Sequence, residues 1–422
     1  MTRYQAAWVL PIAAAPIPGG WVATERGRIA AVGGGPSPDA VNLGRVALLP
    51  ALVNAHTHLE LSYLRGRIPR AERFLEWVRG LMKTRQQYPD PAATVIVEAA
   101  RRAMFEAHAA GTGLFGEVTN SLVTVPLLRE ARMPARVFYE LLGFNTPNPR
   151  DRVAQAQIRA AEALREGGDA RHGDSDLRVS LAPHAPYSVS PGLFRAIRDA
   201  LDSAPQPVTS VHLGESPEEV EFLRDGGGGW REMLEGLGAW SSEWQPPAAS
   251  PVAYLDKIDF LDSRVLAVHG AQFLGEDLDR LSALGTTIVS CPRSNQHVGV
   301  GVPPIEAFYA AGVEVAFGTD SLASVDDLNL FAELAEARRL APRVSARTLL
   351  ESATRVGARA LGFEEDYGTL EPGRRAAIIA VRVPEGVNDV EEYLVGGIQP
   401  DAIEWLDSTN PRFQVPDPRS HV

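Results

Sequence analysis

Short apolar runs alternate with longer amphipathic stretches through the middle of the chain. The apolar runs predict strands that end at residues 54–58, 115–118, 137–141, 179–184, 208–212, 265–269, 287–291 and 313–318. Between several of them, helical patterns occupy residues 91–110, 150–166, 191–202, 275–284 and 327–340. Eight such strand–helix units predict an α/β fold, specifically a (β/α)8 TIM barrel.

The two ends of the chain differ from the middle. Residues 1–48 and 364–422 hold short strand-like pieces separated by glycine and proline, with a β-hairpin predicted to turn at Arg26 and Gly27. Residues 6–15 are apolar, but Pro11 interrupts them, so we predict a strand there instead of a signal peptide. The pattern predicts a small β-sandwich built from both termini, beside a barrel of residues 49–363.

Residues 225–251 break the alternation directly after the predicted fifth strand. They contain four consecutive glycines together with Trp230, Trp240 and Trp244. The active sites of barrels lie on the side where this segment leaves its strand. Two interpretations stay open: a surface insertion, or a lid with apolar anchors and a glycine hinge.

Composition narrows the classes of partner. The 422 residues include 41 basic and 53 acidic side chains, for a net charge of −12, and no basic run stands out. Nucleic acid and anionic membranes are therefore poor partners, and no apolar run approaches the roughly 20 residues that span a bilayer. Cys291 is the single cysteine, which excludes an intramolecular disulfide framework. We expect a cytoplasmic protein with a small-molecule substrate; homo-oligomer formation stays open.

Polar residues recur where the predicted strands end. His56 and His58 are two positions apart, so they share one strand face, and two neutral imidazoles on one face can hold a metal. Further residues of this kind are His184, His212, His269 and Asp320. Any one of them would also fit a buried, hydrogen-bonded structural role. Five strands with such an ending, on the side where barrel sites form, predict a metal centre.

Five segments resemble the amidohydrolase superfamily, in particular its deaminase and chlorohydrolase branch. They begin at Pro50 (PALVNAHTH), Val211 (VHLGE), Val268 (VHG), Cys291 (CPRSN) and Gly318 (GTDS). The resemblance covers essentially the whole chain. It departs from the family pattern at residues 374–379, in the predicted sandwich.

This resemblance implies the metal ligands His56, His58, His212 and Asp320, which leave a position for water. Binuclear relatives carry a bridging lysine at the end of strand four, where this chain has His184. One divalent ion is therefore expected: zinc, with iron or manganese as alternatives.

Catalytic roles follow for Glu215, His269 and Asp320. A bound divalent metal lowers the pKa of water to roughly 7, and Asp320 would accept the proton that this water loses. Glu215 would carry a proton to a ring nitrogen and then to the leaving ammonia, although a capping role with Ser216 is the alternative. His269 would hydrogen-bond the attacking oxygen. Cytidine-type zinc deaminases are excluded, because they need a pair of cysteines.

Three residues bear on the substrate. Glu76 lies in a segment that resembles the ribose-binding segment of adenosylhomocysteine deaminases, His184 stands where those relatives touch the sugar, and Arg293 offers a cation for a carboxylate. Equally, Glu76 would fit a solvated helix position, and Arg293 would fit an ion pair with a nearby acid.

Together these residues imply an amino-purine nucleoside, and further segments look like those of aminofutalosine deaminases, which implies 6-amino-6-deoxyfutalosine. Deaminases of S-adenosylhomocysteine, methylthioadenosine or guanine, triazine chlorohydrolases and a catalytically inactive scaffold are the alternatives.

Overall fold

The computed structural model describes residues 1–165 and 176–406. The strands are β1 Thr2–Gln5, β2 Trp8–Val9, β3 Ile17–Pro18, β4 Trp21–Glu25, β5 Arg28–Gly33, β6 Val41–Asn42, β7 Val46–Pro50, β8 Leu52–Thr57, β9 Thr112–Thr119, β10 Ala135–Leu141, β11 Leu177–Pro183, β12 Thr209–Leu213, β13 Val265–His269, β14 Thr287–Ser290, β15 Val315–Phe317, β16 Ile378–Arg382 and β17 Ile403–Leu406.

The α-helices are α1 Phe74–Arg85, α2 Thr94–Ala109, α3 Val125–Glu130, α4 Pro149–Arg165, α5 Pro191–Asp202, α6 Pro217–Asp225, α7 Gly228–Gly236, α8 Pro251–Lys257, α9 Gly275–Leu284, α10 Pro292–His297, α11 Ile305–Ala310, α12 Leu330–Leu340, α13 Ala346–Glu351, α14 Gly357–Ala360 and α15 Val390–Val395. Two 3₁₀ helices, Leu59–Leu64 and Pro400–Ala402, and a π-helical turn, Ser352–Val356, complete the helical elements of the described residues. Among these helices, none combines the length and the apolar character needed to cross a membrane.

Two parallel sheets form the centre of the molecule. One has the strand order β8-β9-β10-β11 and the other the order β12-β13-β14-β15. Hydrogen bonds join the edges of the two sheets: His212 N donates to His184 O at 2.8 Å, and Asp320 N donates to His56 O at 3.0 Å. The chain therefore has an α/β fold in which the carboxyl ends of these strands meet on one side, as the sequence predicts.

The central strands are apolar along their length because both faces of their sheets are buried. Every residue of β12 and β13 is buried, which explains the unbroken apolar runs that predicted them. Helix α5 shows how the covering helices begin: the Ser190 hydroxyl accepts a hydrogen bond from Leu193 N, and Pro191 occupies the first turn. Its apolar face, with Phe194 and Ile197, is fully buried.

Segments from both ends of the chain form two further sheets. The five-stranded sheet β17-β16-β7-β2-β3 takes strands from both ends, whereas the four-stranded sheet β5-β4-β1-β6 contains only N-terminal strands. The two sheets share one apolar core that includes Val9, Val22 and Ile378. The predicted hairpin is confirmed: β4 and β5 pair antiparallel, and Arg26 and Gly27 both have positive φ angles. Residues 407–422 of the predicted sandwich lie outside the described residues.

One continuous stretch of chain connects the terminal sheet with the central one. Strand β7 is separated from β8 by Ala51 alone. Strand β7 pairs antiparallel with β16, with Pro50 opposite Ile378, while β8 pairs with β9. The strand that carries His56 is thus held by the terminal sheet at its start and by the central sheet along its length.

Candidate functional site

The four predicted metal ligands lie close together where β8, β12 and β15 end. The ring of His56 lies 4.8 Å from that of His58 and 5.0 Å from that of His212, measured between centroids. Asp320 Oδ1 is 3.9 Å from His56 Nε2 and 3.7 Å from His58 Nε2. All four side chains are buried or almost buried. The structure therefore brings together three imidazoles and one carboxylate.

His56 shows that this group of donors suits a metal. Both of its ring nitrogens are buried and lack a hydrogen-bond partner among the described residues, a costly state for polar atoms. Donor atoms of His58 and Asp320 lie within 4.8 Å of it and of each other. Nitrogen donors with one carboxylate oxygen hold divalent transition metals in proteins, so the residues fit such an ion.

Burial disfavours the charged form of two of these imidazoles, His56 and His58. It lowers the pKa of His56 well below the ordinary value, and the neighbouring histidines lower it further. Burial also lowers the pKa of His58 to about 4. A histidine must be neutral to bind a metal, so the site is ready for one at neutral pH.

Asp320 is held in place by one serine of α10 and one serine that follows β15. Its Oδ2 accepts hydrogen bonds from Ser294 Oγ at 2.5 Å and from Ser324 Oγ at 3.3 Å. Its φ angle is 59°, a left-handed conformation that aspartate tolerates better than most residues. Gly318 lies so close to β8 that an added Cβ would be 2.7 Å from the His56 backbone oxygen. Glycine at 318 thus allows the approach of β15 that delivers Asp320.

Glu140, at the end of β10, is a site residue that the sequence pattern did not reveal. Its Oε1 is 3.3 Å from His212 Nδ1, and its Oε2 accepts a hydrogen bond from Asn120 Nδ2 at 2.8 Å. The Nδ1 atom of His212 is also 3.1 Å from the carbonyl oxygen of His184. Such contacts orient the imidazole and leave Nε2 for the metal. The sequence feature that could have identified Glu140 is its position as an acidic residue inside the apolar run 137–141.

Glu215 and His269 face each other beside the metal ligands. His269 Nε2 is 3.6 Å from Glu215 Oε1, and both side chains are buried. Burial, with the nearby charge of Asp320, raises the pKa of Glu215 well above its ordinary value. A carboxyl group whose pKa is raised toward the working pH suits general acid–base work. His269 adopts a positive φ angle of 78°, and Asn295 Nδ2 donates to its Nδ1 at 3.3 Å.

The loop that carries Glu215 is fastened by a second glutamate. Glu219 is fully buried, and its two oxygens accept hydrogen bonds from the backbone N–H groups of Gly214 at 3.2 Å and Glu215 at 3.0 Å. Ser216 caps α6 by accepting a hydrogen bond from Glu219 N at 3.2 Å. The helix cap is thus complete without the carboxylate of Glu215, whose alternative capping role was wrong.

A cavity of about 690 Å³ opens onto this centre and is lined by His58, His212, Glu215, His269 and Asp320. His184, which is predicted from the sequence to contact the sugar, also lines it, and its Nδ1 is 2.6 Å from Ser188 Oγ. Much of the remaining wall is apolar and comes from α1, α7 and the loops after the strands. Its aromatic members are Phe74, Trp77, Tyr88, Phe144, Tyr187 and Trp230.

The tryptophan-rich segment 225–251 contributes to this wall. It contains helix α7, and Trp230 on that helix stacks on Tyr187 with ring centroids 3.7 Å apart. Trp244 stacks on Phe222 at 4.7 Å. Trp230 is thus part of the cavity wall, and movement of the segment as a lid stays a prediction.

Two predicted substrate-binding residues lie away from the cavity. Glu76 is exposed on α1, while its neighbours Phe74 and Trp77 line the cavity instead. Arg293 Nη1 pairs with Asp327 Oδ1 at 2.9 Å and lies 3.6 Å from the buried Glu333 Oε1. Arg293 lines a separate cavity of about 370 Å³. Glu76 thus occupies the solvated helix position, and Arg293 forms the ion pair, that the sequence left open as alternatives.

Comparisons with known proteins agree with this geometry. A model of the amidohydrolase family matches residues 47–411. The aminodeoxyfutalosine deaminase of Deinococcus radiodurans is 32% identical over 322 residues, which cover 75% of this chain and 73% of that protein. The 5-methylthioadenosine/S-adenosylhomocysteine deaminase of Moorella thermoacetica is 29% identical over 407 residues, or 92% and 88% of the two chains. The crystal structure of an adenosine deaminase from Xanthomonas campestris with bound zinc has a TM-score of 0.76 at 26% identity, covering 95% of this chain and 90% of that one.

Proposed function

The chain belongs to the amidohydrolase family, and from that premise we propose that it is a metal-dependent deaminase of an amino-purine nucleoside. The observation that carries this proposal is the placement of a buried carboxyl group, Glu215, beside four metal donors at one end of a large cavity. Each relative named above is a deaminase, which supports hydrolysis of a carbon–nitrogen bond.

We propose that a single zinc ion is held by His56, His58, His212 and Asp320. A divalent metal in such a site lowers the pKa of water from 15.7 to roughly 7 and so makes hydroxide available at neutral pH. Zinc is preferred over iron or manganese because the donors are mostly imidazole, and the zinc in the Xanthomonas enzyme supports that choice.

The side chains around the donors would then move the protons. Asp320 accepts the proton that the attacking water loses. Glu215 carries a proton to the ring nitrogen next to the amino-bearing carbon, and afterwards a proton reaches the departing ammonia. His269, through Nε2, hydrogen-bonds the oxygen that adds to the ring. The products are the oxo-purine nucleoside and ammonia.

The architecture that we propose for this enzyme is a closed barrel of strands β8–β15. Its support is the pair of hydrogen bonds that join the two parallel sheets at both of their edges. Residues 49–363 would form this barrel, and residues 1–48 with 364–422 a composite β-sandwich. The antiparallel pairing of β7, from the N-terminal part of the chain, with β16, from the C-terminal part, supports a sandwich made from both ends.

The preferred substrate is 6-amino-6-deoxyfutalosine, an adenine nucleoside with a carboxylate remote from the base, which would place the chain in menaquinone biosynthesis. The Deinococcus relative supports this choice, and so does a cavity of about 690 Å³, which is large enough for a substituted nucleoside. The second candidate is S-adenosylhomocysteine or methylthioadenosine, supported by the Moorella relative.

A screen of nucleosides tests the proposal. Zinc-loaded protein is mixed with aminodeoxyfutalosine, S-adenosylhomocysteine, methylthioadenosine, adenosine, guanine and a chlorotriazine, and the ultraviolet shift from amino- to oxo-purine is followed. We expect aminodeoxyfutalosine to have the highest kcat/KM. Turnover of guanine or the triazine with no turnover of any adenine nucleoside would refute the proposed substrate class, and a protein that retains no added zinc and turns over none of these compounds would indicate a scaffold.

A further inference from the structure

Arg85, the last residue of α1, places a positive charge in the wall of the large cavity. Among the described residues that line this cavity, it is the sole arginine or lysine. Its side chain is 40% exposed, so a ligand in the cavity can reach it. The surrounding wall includes the apolar residues Leu81 and Met82 from the same helix. A cation on such a wall is a natural contact for an anionic group of a ligand.

The present contacts of Arg85 are long. Both of its terminal nitrogens are 3.4 Å from Asn120 Oδ1, and Nη2 is 3.8 Å from Glu60 Oε1. Glu60 accepts much closer hydrogen bonds from Thr119 Oγ1 at 2.5 Å, Ser121 Oγ at 2.6 Å and Asn120 N at 3.0 Å. Among the described residues, the guanidinium therefore has no close, two-pronged carboxylate partner like the one that Arg280 has in Asp256, with contacts of 2.7 and 2.8 Å.

A line of polar contacts shows where Arg85 lies relative to the metal donors. His212 contacts Glu140, Glu140 contacts Asn120, and Asn120 contacts Arg85. Arg85 is thus two side chains beyond the nearest side chain that touches a metal ligand. Arg85 therefore shares the cavity of His212 and Glu215 but lies outside the group of side chains that contacts the metal ligands, so a substituent remote from the reacting base could reach it.

We propose that Arg85 binds a carboxylate carried on an apolar or aromatic spacer, at the end of the substrate opposite the reacting amino group. This inference rests on the proposed nucleoside deaminase function. The apolar neighbours of Arg85 match the spacer, and the guanidinium matches the carboxylate. Arg85, and not Arg293, is then the residue by which the enzyme discriminates between acidic and neutral nucleosides.

The test compares aminodeoxyfutalosine with the analogue in which its carboxylate is replaced by a primary carboxamide. For the wild-type protein, we expect kcat/KM to be about 10- to 100-fold higher with the acid, because a charge-assisted hydrogen bond is lost in the amide. Arg85→Met should abolish this preference, mainly by raising KM for the acid and to a smaller extent KM for the amide. Arg85→Lys should keep part of the preference, since it retains the charge without the planar fork.

Arg79→Met is the matched control, since Arg79 is an exposed residue of the same helix outside the large cavity. It should retain the full preference for the acid, and melting temperatures should show that each variant folds.

Calorimetric titration of the Glu215→Gln protein, alone and combined with Arg85→Met, measures the same preference without turnover. An equal affinity of the Glu215→Gln protein for acid and amide, or an equal loss of affinity for both compounds when Arg85→Met is added, would overturn the inference. Absence of turnover of any adenine nucleoside by the wild type would refute the proposed function instead, and the titration would still decide the role of Arg85.

Discussion

The end of the cavity that holds the metal donors and the wall formed by α1 and α7 are built in different ways. His56, His212 and Asp320 lie at strand ends, and backbone hydrogen bonds such as Asp320 N to His56 O fix their strands against one another. The helical wall is positioned by side-chain packing, such as the stacking of Trp230 on Tyr187 at 3.7 Å.

This contrast suggests that one part of the cavity determines the reaction and the other determines which substrate is accepted. Hydrogen-bonded strand ends hold donors to the tolerance that a metal requires, whereas helices packed through side chains can differ in position without disturbing the donors. Changes at the donor end should therefore affect turnover on every substrate alike, and changes in the helical wall should affect the choice among substrates.

Metal removal should have the largest effect. Chelation of the zinc, or His56→Asn, should reduce turnover below detection, because hydroxide no longer forms at neutral pH. Elemental analysis should find one zinc per wild-type chain, and added zinc should restore the chelated wild type but not the variant. His297→Asn, in a half-buried histidine outside the large cavity, is the control and should retain its metal. Two tightly held ions, the second bound by the nearby group Glu140, His184 and His212, would contradict the single-metal prediction.

Glu215→Gln should have the next largest effect. The amide has the shape of the carboxyl group but cannot carry a proton between substrate atoms, so kcat should fall at least about 10²-fold on all nucleosides. Metal content and melting temperature should match the wild type. Glu218→Gln provides the control, since Glu218 is in the same segment but does not line the cavity. A near-normal kcat for Glu215→Gln would remove this residue from the mechanism.

Glu140→Gln should have the smallest of the three effects. The variant weakens the contact with His212 Nδ1, which is 3.3 Å from the carboxylate, and such outer contacts are worth about 10- to 100-fold in metal affinity. Competition with a chromogenic chelator measures the zinc affinity, and kinetics at saturating zinc measure what remains of kcat. An unchanged zinc affinity would show that the carbonyl oxygen of His184 alone orients the ring.

The same contrast explains what the sequence could predict. His56 and His58 alternate with a buried residue on a strand, and the two-residue period fixes their direction, so their convergence with His212 and Asp320 could be expected. Glu76 and Arg85 lie on a helix, where successive residues point about 100° apart, and the face toward the cavity depends on how α1 packs. The motif alone therefore selected Glu76, which faces solvent, and missed Arg85.

Loops and insertions were still harder to predict. Residues 226–229 are glycines, which disfavour a helix, yet α7 begins at Gly228 and places Trp230 against Tyr187. Tertiary packing of the tryptophan outweighs the local preference there. Arg293 lies on α10, directly after β14, but its partners Asp327 and Glu333 come from a later loop and helix, which the motif around Cys291 cannot reveal.

The direct passage from β7 into β8 has a consequence for the order of events during synthesis. His56 and His58 are synthesised early, but β16, the partner strand of β7, is synthesised more than 300 residues after β7. Asp320 is synthesised only after roughly three quarters of the chain. Pairings this far apart in sequence form slowly, because a long loop must close before they contribute any stability. The first ligands to be made must therefore wait for most of the polypeptide, and we expect the metal centre to form late in folding.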